Sequence, residues 1–206
     1  MRQQDESSIG RATAGRPGRR RLVCLAVVLL SVVTSQSWAQ DFSAERIVKK
    51  GRAVVTAHVN AKADRWRLEF AQPQGVASVV IVRTDRDLAW LIMSQRWQYL
   101  EVPIAPEFRL TFGERMEGEQ SRELVGEQTL NGYLTELFDV AVAERGGIRR
   151  YYQWVTKVDR FPVKTVSRED DWSEEYRRLI FTEQSPLLFE LPQRLDRANP
   201  PANIQH

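Results

Sequence analysis

The chain has 206 residues, of which 30 are Lys or Arg and 27 are Asp or Glu, so its formal net charge is +3. This length is enough for one domain of ordinary size. Residues 1–39 contain six Arg and two acidic residues, which leaves 24 basic and 25 acidic residues in 40–206 and a net charge of −1 there. The near-balance excludes the strongly basic surface that nucleic-acid-binding proteins need.

The N-terminal residues have the order of regions found in a secretory signal peptide. A cluster of arginines at 19–21 precedes a mostly apolar run at 22–33, and small residues flank Trp38 as at a cleavage site. The apolar run is shorter than the roughly 20 residues of a membrane-spanning helix. We predict a signal peptide over residues 1–39 and a periplasmic protein, exported by either the Sec or the twin-arginine route. The one cysteine, Cys24, lies inside this segment.

The next part of the chain is typical of β-strands joined by short polar turns. Residues 65–70 alternate charged with apolar side chains, as expected when one face of a strand is buried and the other solvated. Residues 41–50 fit either a short helix or an edge strand, and a strand is preferred because 52–60 resembles its hairpin partner. Strands are predicted at 41–50, 52–60, 65–70, 76–83, 88–93 and 97–102.

After Pro103 the pattern changes. Residues 104–120 have no clean periodicity and are predicted to form either a helix or an irregular flap. Strands then resume, with Asn131 and Gly132 as the residues of a tight hairpin turn. They are predicted at 123–127, 134–142, 148–155, 163–167 and 172–182. Residues 40–192 form the predicted domain, and residues 193–206 are expected to be a disordered tail.

Large apolar side chains on these strands are the candidates for a binding surface. Tryptophan and tyrosine bury a large area with few rotatable bonds, and each methylene of a bound acyl chain that leaves water contributes about 0.8 kcal/mol. The alternative is that the same side chains form an ordinary core. The candidates for lining an apolar cavity are Trp66, Leu68, Phe70, Trp90, Ile92, Trp97, Tyr99 and Trp154.

Motifs for catalysis are missing from the sequence. The histidines are His58, within a predicted strand, and His206, the last residue. No Ser lies in a nucleophile elbow, and no glycine-rich phosphate loop or zinc-protease motif is present. The acidic run at 169–171 lacks the spaced ligands and glycine of a calcium loop. We expect a protein that is not an enzyme and that holds no cofactor or metal.

Four stretches resemble one known group of proteins. They are VIVRTDRDLAWLIMSQRWQYLEVP at 80–103, VGEQTLNGYLTELFDV at 125–140, WVTKVDRFPVK at 154–164 and SPLLFELP at 185–192. Their order and spacing resemble the LolA/LolB-like periplasmic proteins that sort outer-membrane lipoproteins, together with secreted relatives of unassigned function. The resemblance covers roughly residues 42 to 192.

This resemblance implies a mainly β (α+β) fold, namely an incomplete antiparallel β-barrel with short helices or flaps over an apolar cavity. It implies a soluble periplasmic carrier, acting as a monomer, that binds the acyl chains of lipoproteins or lipids. The alternative is an envelope sensor or interaction module that binds a membrane-bound partner protein.

Overall fold

The computed structural model describes residues 41–105, 108–110 and 112–199. They form a 12-stranded sheet in the order β12-β6-β5-β4-β3-β2-β1-β11-β10-β9-β8-β7. The strands are β1 Phe42–Lys50, β2 Ala53–Lys62, β3 Arg65–Gln74, β4 Ala77–Arg83, β5 Leu88–Met93, β6 Gln98–Val102, β7 Glu119–Leu130, β8 Tyr133–Glu144, β9 Gly147–Thr156, β10 Pro162–Ser167, β11 Trp172–Phe181 and β12 Asp196–Arg197. The predicted signal peptide lies outside the described residues and stays a prediction.

The sheet is open, with β12 and β7 as its two edges. Every neighbouring pair is antiparallel except β12 and β6, which are parallel. This is the predicted mainly β, incomplete barrel. Within the described part of the chain, no helix has the length and apolarity needed to cross a membrane.

The strands are longer than their sequence patterns predict where pairing continues past a turn-like residue. Pro73 lies inside β3, although Pro and Gly at 73–75 predict a turn; Gly75, at φ +61°, is the residue that reverses the chain. β7 begins at Glu119 instead of residue 123 and pairs with β8 along its whole length. The Asn131-Gly132 hairpin is confirmed, with both residues at positive φ.

One face of the sheet, the inner face, is the side of β3 that carries Trp66 and Leu68. It holds the main cluster of buried side chains, in which Phe42 meets Phe161 edge-on at 5.0 Å between ring centroids. The buried members are Phe42, Ala44, Ala57, Val59, Ala61, Trp66, Leu68, Ala77, Val80, Val82, Ala89, Phe161, Val163, Tyr176 and Leu179.

The segment between β6 and β7 is an irregular flap, defined here as the described residues of 103–118. It lies over the inner face, because the Phe112 ring packs edge-on against Trp66 at 5.8 Å and against Phe42 at 5.0 Å. The indole Nε1 of Trp66 donates a hydrogen bond to the carbonyl oxygen of Phe108 at 2.7 Å. The described residues of this segment form no α-helix, so of the two predicted alternatives the flap is the one observed.

The opposite, outer face is covered over β4–β6 by a C-terminal strap, residues 185–197. Phe189, in the 3-10 turn Pro186–Phe189, is fully buried with Ile81 and Trp90 beneath it. This strap explains why β4 is buried on both faces, as its unbroken apolar sequence predicts.

The end of the strap differs from the predicted disordered tail. Residues 193–199 are described, and β12 pairs with Gln98 and Tyr99 of β6. The apolar Leu191 and Leu195 pack against the buried side chains of the outer face and hold this end of the chain against the sheet. The mostly polar composition of the tail did not predict this packing. Residues 200–206 lie outside the described part.

Candidate functional site: a cavity beneath the flap

A cavity of about 490 Å³ lies on the inner face next to the flap. Its volume falls in the range of about 300–1,000 Å³ that is usual for small-molecule sites. Apolar side chains from β1, β2, β3 and the flap form one part of its wall, and polar side chains form another. The apolar residues are Val48, Val55, Leu68, Phe70 and Phe108.

Strand alternation and register bring these side chains to one face. Val48 of β1 is paired with Val55 of β2, and Ala57, two residues further along β2, is paired with Phe70 of β3. Because side chains two residues apart share a face of a strand, Val55 and Ala57 point to the same side of the sheet. Phe70 points to that side too, because it is paired with Ala57. The wall is therefore built from residues that are far apart in the sequence.

An ion pair is embedded in the cavity wall. The Nε of Arg46 lies 2.5 Å from Oε1 of Glu174, and the side chains are only 13% and 12% exposed. Burial disfavours the charged form of Arg46, but the adjacent Glu174 carboxylate outweighs it and raises the pKa of Arg46. The buried Tyr176 hydroxyl donates to the same carboxylate at 2.9 Å, and burial followed by the charge of Glu174 raises the pKa of Tyr176 well above its usual value.

A second cavity, of about 690 Å³, shares Lys50 and Trp172 with the first. Trp172 packs edge-on against Tyr151, with 6.1 Å between ring centroids. The Tyr151 hydroxyl donates to Glu144 at 2.5 Å, and burial together with this carboxylate raises the pKa of Tyr151 to about 12. The two cavities thus adjoin along the inner face.

A third concavity, of about 520 Å³, is bordered by a polar row that crosses three strands. Glu45, His58 and Glu69 lie at directly paired positions on β1, β2 and β3. Glu69 accepts a hydrogen bond from Arg67 at 2.6 Å. In the described ranges, no group of three or more His, Cys, Asp or Glu side chains is arranged to hold a metal ion.

The predicted cavity residues are divided by the sheet, and this corrects the expectation of one common wall. Leu68 and Phe70 line the 490 Å³ cavity, whereas Trp66 is buried in the main cluster beside them. Trp90 and Ile92 are paired with Ile81 and Val79 of β4, and Tyr99 is paired with Ile92. Because paired residues share a face of the sheet, all three lie on the outer face. They pack beneath the C-terminal strap.

The remaining two predicted residues also lie away from the cavity. Trp97 is 66% exposed and has φ +54°, because it ends the 3-10 turn before β6 instead of starting the strand. Trp154 is not among the residues that line the cavity; it pairs with Lys164, whose Nζ lies 5.6 Å from the centroid of its ring. Trp154 is half-buried and also contacts the main cluster.

The charged part of the wall was not predicted from the sequence. The charged side chains that line the cavity are Arg46, Lys50, Arg109 and Glu174, and Trp172 also lines it; none of the five was a candidate. One feature of the sequence indicates that Arg46 is unusual: in β1 it lies on the same face as the apolar Ala44 and Val48. A charge on an apolar face requires a partner, but its partner is 128 residues away.

No family model and no curated protein matches the chain. Solved structures do match. An uncharacterized conserved protein from Thermus thermophilus superimposes with a TM-score of 0.53 and 15% identity, over 79% of this chain and 91% of that one.

MucB superimposes with a TM-score of 0.55 and 11% identity, over 78% of this chain and 60% of MucB. MucB in complex with MucA(peri) gives a TM-score of 0.51 and 10% identity, over 78% and 57%. The chain thus spans somewhat less than two thirds of the MucB chain.

A domain from Vibrio parahaemolyticus that is described as an outer membrane lipoprotein-sorting protein also matches, with a TM-score of 0.38 and 12% identity, over 75% of this chain and 90% of that one. The structural neighbours thus include a protein of the class that the sequence motifs resemble. At these identities the likeness concerns the fold.

Proposed function

We propose that this chain is a non-catalytic protein of the bacterial envelope that binds acyl chains of lipids or lipoproteins reversibly in the cavity beneath the flap. The observation that carries the proposal is the apolar wall of that 490 Å³ cavity, formed by Val48, Val55, Leu68, Phe70 and Phe108. An acyl chain placed there loses contact with water at about 0.8 kcal/mol per buried methylene. The periplasmic location comes from the predicted signal peptide.

The first test is native mass spectrometry of the protein purified from the periplasm without detergent. A discrete added mass in the lipid range, lost on extraction with organic solvent, is the expected result. A homogeneous unliganded mass that persists after incubation with phospholipid vesicles would contradict the proposal.

A matched pair of variants on β2 connects such a ligand with this cavity. Val55 lines the cavity, whereas its neighbour Val54 points to the outer face and is 58% exposed. Val55→Gln is expected to reduce bound lipid several-fold, because an amide in an apolar wall loses its hydration when the chain binds. Val54→Gln is expected to bind as the wild type does. Equal binding by both variants would show that the ligand does not occupy this cavity.

A second function, partner binding, is favoured by the free edge of the sheet. β7 is an edge strand of 12 residues, and its Leu124 and Val125 are 54% and 55% exposed. An exposed edge strand with apolar side chains is a template for an added strand from a partner. MucB, which has the same fold, is known in complex with MucA(peri).

Leu124→Lys tests the partner function without altering the cavity. In a pull-down from solubilised membranes, the wild type is expected to retain one defined protein and the variant to lose it. Retention of the same protein by the variant would show that β7 is not the binding surface.

A further inference from the structure

The charges around the cavity beneath the flap indicate which kind of acyl chain it takes. Its wall carries three basic side chains, Arg46, Lys50 and Arg109, and one acidic side chain, Glu174. Arg46 and Glu174 neutralise each other at 2.5 Å. The wall therefore retains two positive charges, although residues 40–206 as a whole have a net charge of −1.

These two charges lie at the solvent side of the cavity. Both Lys50 and Arg109 are exposed, whereas Leu68 in the wall is 1% exposed. The ion pairs formed among the described residues include neither of them. A long basic side chain at such a boundary lays its apolar stem along the wall and keeps its charged end in water.

Among the described residues, the acidic side chains of the adjoining cavity form no ion pair with Lys50. Arg149 forms ion pairs with both Asp170 and Glu144 there. Asp171 lines that second cavity and does not line the first. Lys50 and Arg109 consequently add positive charge to a cavity wall whose other part is apolar.

Resting on the proposed function, we propose that the occupant is an anionic single-chain amphiphile. The positive charges of Lys50 and Arg109 in the cavity wall attract its carboxylate, and its chain lies along Val55 and Phe70. Two cations fit a carboxylate because charge-assisted hydrogen bonds are the stronger ones. A chain with a neutral end group fills the same apolar wall but leaves both cations without a partner.

The test compares two probes with the same chain, laurate and dodecanol, by displacement of an uncharged fluorescent probe from the purified, delipidated protein. At low salt, laurate is expected to bind about tenfold more tightly than dodecanol, which corresponds to two solvent-exposed ion pairs. The difference is expected to shrink at high salt, because exposed charges are screened.

A charge-reversal variant and its control locate the effect. Lys50→Glu combined with Arg109→Glu is expected to weaken laurate binding about tenfold or more and to leave dodecanol binding unchanged. Lys49→Glu combined with Arg52→Glu changes the net charge by the same amount at exposed residues outside the cavity. This control is expected to bind both probes as the wild type does.

The outcomes separate the two proposals. Equal binding of laurate and dodecanol, unaffected by the variants, would overturn the anionic ligand and leave the acyl-binding function intact. An equal loss of laurate binding in the variant and in the control would also overturn it, because the effect would come from overall charge. Failure of both probes to bind would overturn the acyl-binding function itself.

Discussion

At the scale of single residues, Arg46 and Glu174 form a charged pair among apolar neighbours on the inner face. Arg46 and Glu174 satisfy each other, and Glu174 also accepts a hydrogen bond from the Tyr176 hydroxyl. A buried pair adds little net stability compared with apolar residues of the same size, whereas removing one partner leaves an uncompensated charge. The structural importance of each residue therefore depends on the other.

Glu174→Gln tests this dependence. The amide still accepts from Tyr176 but leaves the Arg46 guanidinium without a counter-charge, so the free energy of unfolding is expected to fall by about 3 kcal/mol. Arg46→Met combined with Glu174→Gln is expected to recover most of that loss, as measured by urea denaturation. If the double variant is as unstable as the single one, the loss does not come from an orphaned charge.

At the scale of elements, the C-terminal strap joins the end of the chain to the middle of the sheet. Arg83 of β4, with a side chain only 4% exposed, bonds to Glu190 at 2.5 Å and to Asp85 at 2.6 and 2.8 Å. It also donates to the carbonyl oxygen of Phe189 at 3.3 Å. The guanidinium thus ties the strap to the outer face, where the apolar Phe189 side chain fills the space over β4 and β5.

Two strap residues from the same turn give a matched comparison. Phe189 is fully buried, whereas Leu187 is 81% exposed. Phe189→Ala is expected to cost about 3–5 kcal/mol, because it removes a buried ring and leaves a cavity. Hydrogen exchange is expected to accelerate in the strap and in β4–β6.

Leu187→Ala is the control, and it is expected to change the free energy of unfolding by about 0.5 kcal/mol or less. Similar losses from the two substitutions would mean that the strap is held by its backbone and ion pairs. Unchanged exchange in β4–β6 after Phe189→Ala would mean that the strap does not protect the sheet.

At the scale of the whole molecule, ion pairs make stability depend on pH in the acid range. Hydrogen bonds from Arg83 hold the pKa of Asp85 below its usual value, and those from Arg160 do the same for Glu114. A carboxylate whose pKa is lower in the folded state stabilises the protein above its unfolded pKa of about 4, and loses this contribution as the pH falls through the folded value. The protein is therefore expected to lose stability below about pH 4.

Asp85→Asn should reduce this acid dependence. The variant is expected to be less stable than the wild type at pH 7 by about 1 kcal/mol, a value lowered for the partial exposure of the pair. Because it has no Asp85 proton to take up, it is expected to lose less stability between about pH 5 and pH 2, as measured by urea denaturation at each pH.

Asp87→Asn is the matched control in the same turn. Asp87 is exposed, and the ion pairs found in the described ranges do not include it. The backbone of Asp87 has φ +53°, a conformation that Asn also tolerates. The control is expected to have the pH dependence of the wild type, and an equal slope for Asp85→Asn would contradict the role given to the Arg83 pair.

The sequence predicted most of the strands because alternation is a local property. β5 begins and ends at the predicted residues 88 and 93, and the double burial of β4 followed from its apolar run. The segment at 104–120 had no period to follow, and the position of the flap within it depends on the contact between Trp66 and Phe112 on the inner face. The sequence was therefore compatible with both a helix and a flap there.

The candidate site was predicted less well, because alternation assigns a face to each strand but does not say which strands share a wall. Leu68 and Phe70 do line the cavity beneath the flap, since β3 has one charged and one apolar side; that they bind a ligand stays a prediction. Trp90 and Ile92 belong to β5, which is apolar on both sides, and only their pairing with Ile81 and Val79 assigns them to the outer face, together with Tyr99, which is paired with Ile92.

By itself, the sequence determined that the chain is rich in β-strands, that residues 40–206 have almost no net charge, and that several strands have one apolar side that must be covered. It also predicted an export signal. Only the tertiary structure decided what covers each face: the flap and its cavity on the inner side, and the C-terminal strap on the outer side. The sequence shows strands because the alternation of apolar and polar side chains is visible in neighbouring residues. It does not show which segments pack against each other. The contacts between Arg46 and Glu174, or between Arg83 and Glu190, join residues more than 100 positions apart.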